Sequence, residues 1–310
     1  METALLKGYF EECLFRFDFF IDDIITESLY SNLKEWCAQF GIDNYYYVLR
    51  NQNIENLALY TYSDNLLGLE SLCKFFILSV SLDDISEDKG KVNYFFNLKE
   101  NLISIFNDAN QNLYNDGYLR AWQDFCQHIE KVLNEQQWQE FLEYIIAYID
   151  SFIWEIGCSE GTEELNYENY IDNRLNSVGV LPGLTLMSLT SQSNGFPSEI
   201  NKLLDNLSFC TTKLIGIEND LLSLEREELE NNMFNMVLLY EKQFKCGRQE
   251  AIDFFINEHE LYFKKFKKII YEIEANESRY KSDLLRILKG HEKCIVGNLK
   301  WSLESKRYGV

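Results

Sequence analysis

The chain contains few helix breakers and few histidines. Its 310 residues include two prolines, Pro182 and Pro197, and three histidines. Because proline removes a backbone donor and kinks or ends a helix, its scarcity favours long helices. The histidines are His128, His259 and His291, none of them near a cluster of cysteines. Zinc binding and histidine-based catalysis are therefore disfavoured.

Long continuous apolar stretches and a basic leader are also missing. The one uncharged run longer than 18 residues, 175–198, contains both prolines and many Ser, Thr and Asn residues, so the sequence predicts no transmembrane helix. The residues Met1-Glu2-Thr3-Ala4 provide no basic region ahead of an apolar run, and we expect no secretory signal. The eight cysteines are widely spaced and form no CxxC pair. They are expected to be reduced, mostly buried thiols in a cytoplasmic protein.

Basic residues are outnumbered by acidic ones. The sequence has 29 Lys and Arg against 50 Asp and Glu, for a net charge of −21. Such a field repels polyanions, which argues against nucleic acid and anionic lipid surfaces as partners. An anionic small molecule remains compatible with this charge if local cations attract it.

Apolar residues recur at helical spacing along much of the chain. With 46% hydrophobic and 15% aromatic residues, the protein is expected to be globular. Steps of three and four residues predict amphipathic helices around residues 69–80, 138–153 and 252–270. Strand-like alternation is weak, and no linker or repeat is evident. The sequence thus predicts an all-α, single-domain helical bundle over residues 1–310.

One segment is expected to break a helix in mid-course. Both prolines and several glycines fall between Gly157 and Pro197. Within this region the run Val178-Gly179-Val180-Leu181-Pro182-Gly183 should interrupt the helix. A break inside a bundle lets backbone carbonyls and amides face an interior cavity.

An acidic segment follows the helix predicted around residues 69–80. Asp83, Asp84, Glu87 and Asp88 lie within six residues, and like charges four positions apart repel each other on a helix. The segment predicts either a bound cation or an exposed helix end. Hard oxygen ligands of this kind suit Mg²⁺.

A second oxygen-rich segment lies far downstream. Asn219, Ser223 and Glu227 are four positions apart in turn, so they share one face of a helix. An amide oxygen, a hydroxyl and a carboxylate so stacked can hold one Mg²⁺ and leave its other positions for water and phosphate oxygens. Arg226 is placed to reach the same phosphate. The alternative interpretation is a polar face turned to solvent.

Together these motifs resemble those of microbial-type class I terpene synthases over essentially the whole chain. That family has an aspartate-rich motif, seen here at Asp83-Asp84-Ile85-Ser86-Glu87-Asp88, and an Asn/Ser/Glu triad preceded by a basic residue. It also has an upstream diphosphate-sensing arginine, followed by a helix break, and a C-terminal Arg-Tyr pair. The matching positions here are Arg174, Val178-Gly179 and Arg307-Tyr308. A carboxylate is often found three residues after the sensor arginine, where this chain has Ser177.

The resemblance implies a bundle of the class I terpenoid synthase type with a central active-site cavity, and a set of roles for these residues. The metal ligands would be Asp83, Asp84, Glu87, Asp88, Asn219, Ser223 and Glu227, holding three Mg²⁺ ions for which Mn²⁺ can substitute. Asp83, Arg174, Arg307 and Tyr308 would be catalytic, and Arg174, Arg226, Arg307 and Tyr308 would bind the diphosphate. Phe75, Phe76 and Trp301 would line the apolar cavity, and Val178 or Gly179 would present a carbonyl. For the aromatic residues, ordinary core packing is the alternative.

The resemblance also implies the reaction. A prenyl diphosphate would be ionised with the help of metal ions and then cyclised, with farnesyl diphosphate as the expected substrate and a sesquiterpene as the product. Alternatives are a diterpene synthase acting on geranylgeranyl diphosphate, a trans-prenyltransferase and a non-enzymatic helical scaffold. Two DDxxD motifs would be typical of a prenyltransferase, and a class II cyclase is disfavoured because DxDD is absent. A monomer and a homodimer are both compatible with the sequence.

Overall fold

The computed structural model describes residues 2–14, 23–61, 66–86, 90–108, 114–187 and 196–305. Within these ranges the regular structure is helical and no strand occurs, which confirms the predicted all-α class. The helices are α1 (Glu2–Leu14), α2 (Asp23–Phe40), α3 (Asp43–Asn51), α4 (Ile54–Thr61), α5 (Leu66–Ser86), α6 (Val92–Asn107), α7 (Gly117–Ile129), α8 (Glu135–Glu160), α9 (Tyr167–Ser177), α10 (Val180–Met187), α11 (Ser198–Leu229), α12 (Met236–Phe244), α13 (Arg248–Glu274) and α14 (Lys281–Glu304).

The helices group into two compact units. The C-terminal unit takes in the described residues of Met1–Asp18, Leu165–Val180 and Thr190–Val310, and so contains α1, α9 and α11 to α14. The N-terminal unit takes in those of Phe19–Glu164 and Leu181–Leu189, with α2 to α8 and nearly all of α10. A single domain with a central cavity stays a prediction.

Helix α5 is central to the N-terminal unit, where it packs against α2, α3, α4, α7 and α8. Its predicted apolar face is confirmed, since Leu69, Leu72 and Ile77 are buried. Phe75 of the same helix packs against Phe125 of α7 and Phe141 of α8. Asp83 and Asp84 lie in the last turn of α5, as expected for an acidic segment at the end of an apolar helix.

Helix α11 is central to the C-terminal unit and packs against α1, α9, α12, α13 and α14. The predicted helix α13 is also confirmed, with Ile252, Phe255 and Phe266 buried. Leu261, an apolar residue within the predicted helix at 252–270, is 43% exposed. It follows Ile252 by nine positions, which at about 100° per residue places it on the opposite side of the helix.

The predicted helix break is present but narrower than expected. Helix α9 ends at Ser177 and α10 begins at Val180. Gly179 has a φ of +69°, a left-handed conformation that costs glycine little. Pro182 and Gly183 lie within the first turn of α10, where proline is tolerated because the amides there lack helical partners.

All eight cysteines are free and most are buried, as the sequence predicted. Among the helices of the described ranges, none has the length and apolar character needed to cross a membrane.

Candidate active site

The three triad residues occupy successive turns of α11. Ser223 is 3% and Glu227 8% exposed, while Asn219 is half-buried. The sequence pattern therefore placed the triad correctly, on one face of a long helix. Because most of this face is covered by protein, the interpretation as a polar face turned to solvent is not supported.

The carboxylate of Glu227 is held by two neighbours. Its Oε2 accepts a 2.7 Å hydrogen bond from Asn235 Nδ2, and its Oε1 lies 3.3 Å from Arg226 Nη2. Burial raises the pKa of Glu227, and the nearby charge of Asp220 raises it further. The Asn235 hydrogen bond and the charges of Arg174 and Arg226 oppose that rise. The carboxylate thus sits where a cation would stabilise its ionised form.

Asn219 is held by a residue of another helix. Asn298 of α14 donates from Nδ2 to Asn219 Oδ1 at 3.0 Å. The neighbouring Glu218 is fully buried and lies 3.1 Å from His259 Nε2, whose Nδ1 is 3.0 Å from the Tyr9 hydroxyl. Burial raises the pKa of Glu218, and hydrogen bonds from His259 and Asn298 partly oppose this.

Arg174 is paired with Asp220, the residue that follows Asn219. Its Nη2 lies 2.7 Å from Asp220 Oδ1, and its Nη1 donates to Ser177 Oγ at 3.4 Å. The other oxygen of Asp220 accepts from the Met236 amide at 2.9 Å and lies 2.9 Å from the Tyr170 hydroxyl. Burial raises the pKa of Asp220, whereas Arg174, Met236 and Tyr170 lower it. Asp220 therefore ties α9 and the start of α12 to α11.

The donor atoms of the triad suit Mg²⁺. Asn219, Ser223 and Glu227 offer one hard oxygen each from one face of α11, which matches the preference of this ion for oxygen ligands and retained water. No group of three His, Cys, Asp or Glu side chains that could hold a metal occurs in the part of the chain that the structure describes. That result does not count against the triad, which contains only one carboxylate.

The remaining predicted site residues differ in how far the structure describes them. Asp83 and Asp84 belong to α5, and their side chains are outside the described set. Glu87, Asp88, Arg307 and Tyr308 also lie outside the described residues. The roles of all six stay predictions.

The predicted cavity residues are packed to different degrees. Phe75 is buried against Phe125 and Phe141, in a core arrangement. Phe76 is half-buried on α5, and Trp301 is buried on α14. Val178 closes α9, with its amide donating to the Arg174 carbonyl at 3.2 Å. The lining and carbonyl-presenting roles of these residues stay predictions.

Sequence reasoning gave no role to Asp220, Tyr170, Asn235 or Asn298. For Tyr170 a local signal existed, because it precedes Arg174 by four positions and so shares its face of α9. For Asn235 the signal was incomplete. An asparagine before an apolar run predicts a helix cap, and Asn235 does cap α12. The same pattern does not predict the contact between Asn235 and Glu227.

Comparisons with known proteins identify the family of this chain. The family model described as terpene synthase family 2, C-terminal metal binding, matches residues 74–265. This range includes Asp83, Arg174 and the triad. The chain belongs to this terpene synthase family.

Several curated terpene synthases are similar in sequence. Delta(6)-protoilludene synthase 8 of Postia placenta is 24% identical over 55% of this chain and 49% of its own length. The chain thus spans about half the length of this relative. (+)-Germacrene D synthase of Selaginella moellendorffii is 25% identical over 90% of this chain and 84% of its own length. A farnesyl diphosphate-cyclising (+)-T-muurolol synthase of Roseiflexus castenholzii is 22% identical over 68% and 65%.

Solved terpene synthases share the fold. A variant of cucumene synthase superposes with a TM-score of 0.78 at 16% identity, over 94% of this chain and 99% of that one. An α-eudesmol synthase gives a TM-score of 0.77 at 15% identity, over 93% and 99%. These matches establish the class I terpenoid synthase fold.

Proposed function

We propose that this terpene synthase ionises farnesyl diphosphate and cyclises the resulting cation to a sesquiterpene, releasing diphosphate. The observation that carries the proposal is the buried face of α11, where Asn219, Ser223 and Glu227 occupy successive turns. Arg226 and Arg174 lie beside this face and supply the positive charge that a chain of net charge −21 needs to bind an anion. Cyclisation of farnesyl diphosphate by the muurolol synthase relative supports the choice of substrate.

The proposed metal ligands come from two helices. Asn219, Ser223 and Glu227 would hold Mg²⁺ on α11, and Asp83 would hold it from the end of α5, with Asp84, Glu87 and Asp88 as further candidates. Three Mg²⁺ ions, replaceable by Mn²⁺, are expected. When bound, such ions act as Lewis acids that neutralise the charge of the leaving diphosphate.

The arginines would bind and orient the diphosphate. A guanidinium carries five N–H donors, so Arg174 can keep its contact with Asp220 and still donate to a phosphate oxygen. Arg226 is held beside Glu227 at 3.3 Å, which would place it near the same anion. Arg307 and the Tyr308 hydroxyl would add further charge-assisted hydrogen bonds.

Apolar side chains would receive the hydrocarbon part. We propose Phe76 and Trp301, together with Phe75, as aromatic faces that stabilise a carbocation. A backbone carbonyl at Val178 or Gly179, in the break between α9 and α10, would face the same substrate. Closure of the site around these groups would exclude water, which otherwise quenches the cation.

Product analysis tests the proposal. The purified protein is incubated with Mg²⁺ and, separately, geranyl, farnesyl and geranylgeranyl diphosphate, and products are separated by gas chromatography while released diphosphate is assayed. We expect a cyclic C15 product and diphosphate from the farnesyl substrate. Turnover of the C20 substrate alone would identify a diterpene synthase.

A parallel assay separates the remaining alternatives. Isopentenyl diphosphate is added with the farnesyl substrate, and chain elongation would identify a prenyltransferase. Absence of diphosphate release from every substrate would leave a non-enzymatic scaffold. Light scattering during purification distinguishes a monomer from a homodimer. The free cysteines support a reducing, cytoplasmic location.

A further inference from the structure

The side chain of Asn235 uses all of its hydrogen-bonding capacity. Its Oδ1 accepts from the amides of Val237 at 2.9 Å and Leu238 at 3.4 Å. Its Nδ2 donates to the Asp220 carbonyl and to Glu227 Oε2, both at 2.7 Å. An asparagine amide offers two donors and one oxygen with two lone pairs, so every donor and lone pair is engaged.

The start of α12 fixes which way this amide points. Asn235 is the N-cap of α12, a position at which an oxygen must face the first amides of the helix. If the amide turned over, its NH₂ group would face those amides and two donors would oppose each other. The residue is fully buried, so solvent cannot compensate for such a turn. The NH₂ group is therefore held towards Glu227.

Glu227 gains a fixed orientation from this contact. The residue is 8% exposed, and one of its carboxylate oxygens is engaged by Asn235 while the other lies towards Arg226. Groups that hydrogen-bond to a ligating side chain commonly set its orientation, and their loss weakens metal binding.

We propose that Asn235 is a positioning residue for the metal site: it couples the capped end of α12 to Glu227 and holds the carboxylate in its metal-binding orientation. This inference rests on the proposed function, in which Glu227 is a ligand. Asn235 itself need not touch the metal or the substrate.

Two substitutions separate the cap from the contact. Asn235→Ser keeps an oxygen that can cap α12 but is too short to reach Glu227. Asn235→Asp keeps the shape and the cap but cannot donate when ionised. The matched control is Asn134→Ala, because Asn134 is the N-cap of α8, in the other unit, and its side chain accepts from Gln137.

Each protein is titrated with Mg²⁺ in the presence of inorganic diphosphate, and its melting temperature is measured at each Mg²⁺ concentration. The readout is the Mg²⁺ concentration at which half of the total rise in melting temperature is reached. We expect this concentration to increase roughly tenfold or more in both Asn235 variants. The control variant should melt at a lower temperature without metal, yet keep the wild-type Mg²⁺ dependence. Turnover of farnesyl diphosphate at limiting Mg²⁺ should fall in parallel for the Asn235 variants alone.

Each failure has a distinct signature. One outcome is that Mg²⁺ and diphosphate stabilise the wild-type protein, but a folded Asn235 variant has an unchanged or lower half-saturating Mg²⁺ concentration. The positioning role of Asn235 is then wrong, while the proposed metal site is retained. If the wild-type protein shows no Mg²⁺-dependent stabilisation, the proposed metal site and this inference are both overturned.

Discussion

Arg174 Nη2 lies 2.7 Å from Asp220 Oδ1, so the arginine expected to sense diphosphate is paired with the residue next to Asn219. The family pattern often has a carboxylate three residues after this arginine, where this chain has Ser177. Arg174 makes only a 3.4 Å hydrogen bond to that serine. Asp220, which is fully buried, supplies the anionic partner from α11 instead.

Loss of the Asp220 carboxylate should destabilise the C-terminal unit. Asp220→Ala removes the partner of Arg174 and the acceptor for Met236 and Tyr170. We expect the free energy of unfolding to fall by about 3 kcal/mol, as when a buried ion pair is broken. Urea titration measures this. Asp205→Ala, at an exposed position of the same helix, should change it by less than about 0.5 kcal/mol, and equal effects of the two substitutions would disprove the structural role.

Removal of the proposed metal ligands should abolish turnover and leave the fold intact. Asp83→Ala and Asn219→Ala each delete one oxygen ligand without opening a large cavity. We expect diphosphate release from farnesyl diphosphate to be lost, while circular dichroism keeps its helical spectrum. Near-wild-type rates in either variant would show that the ligand assignment is wrong.

The contact between Asn298 and Asn219 should control the orientation of the Asn219 amide. Asn298 donates to Asn219 Oδ1 at 3.0 Å, so its partner must be an oxygen. Asn298→Asp replaces the donor with an acceptor and should turn the Asn219 amide over, presenting NH₂ to the cation. The Mg²⁺ concentration for half-maximal turnover should rise about tenfold.

The control for this prediction is Thr211→Val. It breaks the hydrogen bond between Thr211 and His291, which joins the same two helices elsewhere. It should leave that concentration unchanged, and an equal effect of both substitutions would contradict a specific role for Asn298.

His291 should make the protein less stable as the pH falls below neutrality. Its Nδ1 lies 2.8 Å from the Thr211 hydroxyl, and burial lowers the pKa of His291 from 6.5 to about 3. Below pH 6.5 the unfolded chain binds a proton at this residue that the folded protein does not, so stability is lost as the pH falls. From pH 7 to pH 5.5 this residue alone should reduce the free energy of unfolding by about 1 kcal/mol.

The matched variant for this effect is His291→Gln, which cannot titrate. Urea unfolding at pH 8, 7 and 5.5 compares it with the wild-type protein. At pH 8 the difference in free energy of unfolding between the two proteins reports the packing that the variant has lost. We expect this difference to shrink as the pH falls, because only the wild-type protein loses stability through His291. A constant difference at all three pH values would show that His291 does not stay neutral in the folded protein.

Features set by local spacing could be predicted from the sequence. Helices α5, α8 and α13 follow from apolar residues at helical period, and the break at Gly179 follows from its glycines and proline. The triad shares a face because Asn219, Ser223 and Glu227 are four positions apart, a relation that any helix enforces.

Contacts between helices could not be predicted in this way. Asp220 with Arg174, Asn235 with Glu227 and Asn298 with Asn219 are each brought together by tertiary packing, which local periodicity does not encode. Leu261 shows the limit even within one helix. Its side chain is apolar, but its position places it on the opposite side of α13 from the buried residues, and it is exposed.

The most direct test of the account is a crystal structure of the protein with Mg²⁺ and inorganic diphosphate. We predict Mg²⁺ at about 2.1 Å from oxygens of Asn219, Ser223 and Glu227, a second Mg²⁺ site at Asp83, and diphosphate bridging the two. Diphosphate bound without metal at the triad, or Asp83 and Asn219 on opposite outer surfaces with no shared cavity, would contradict it.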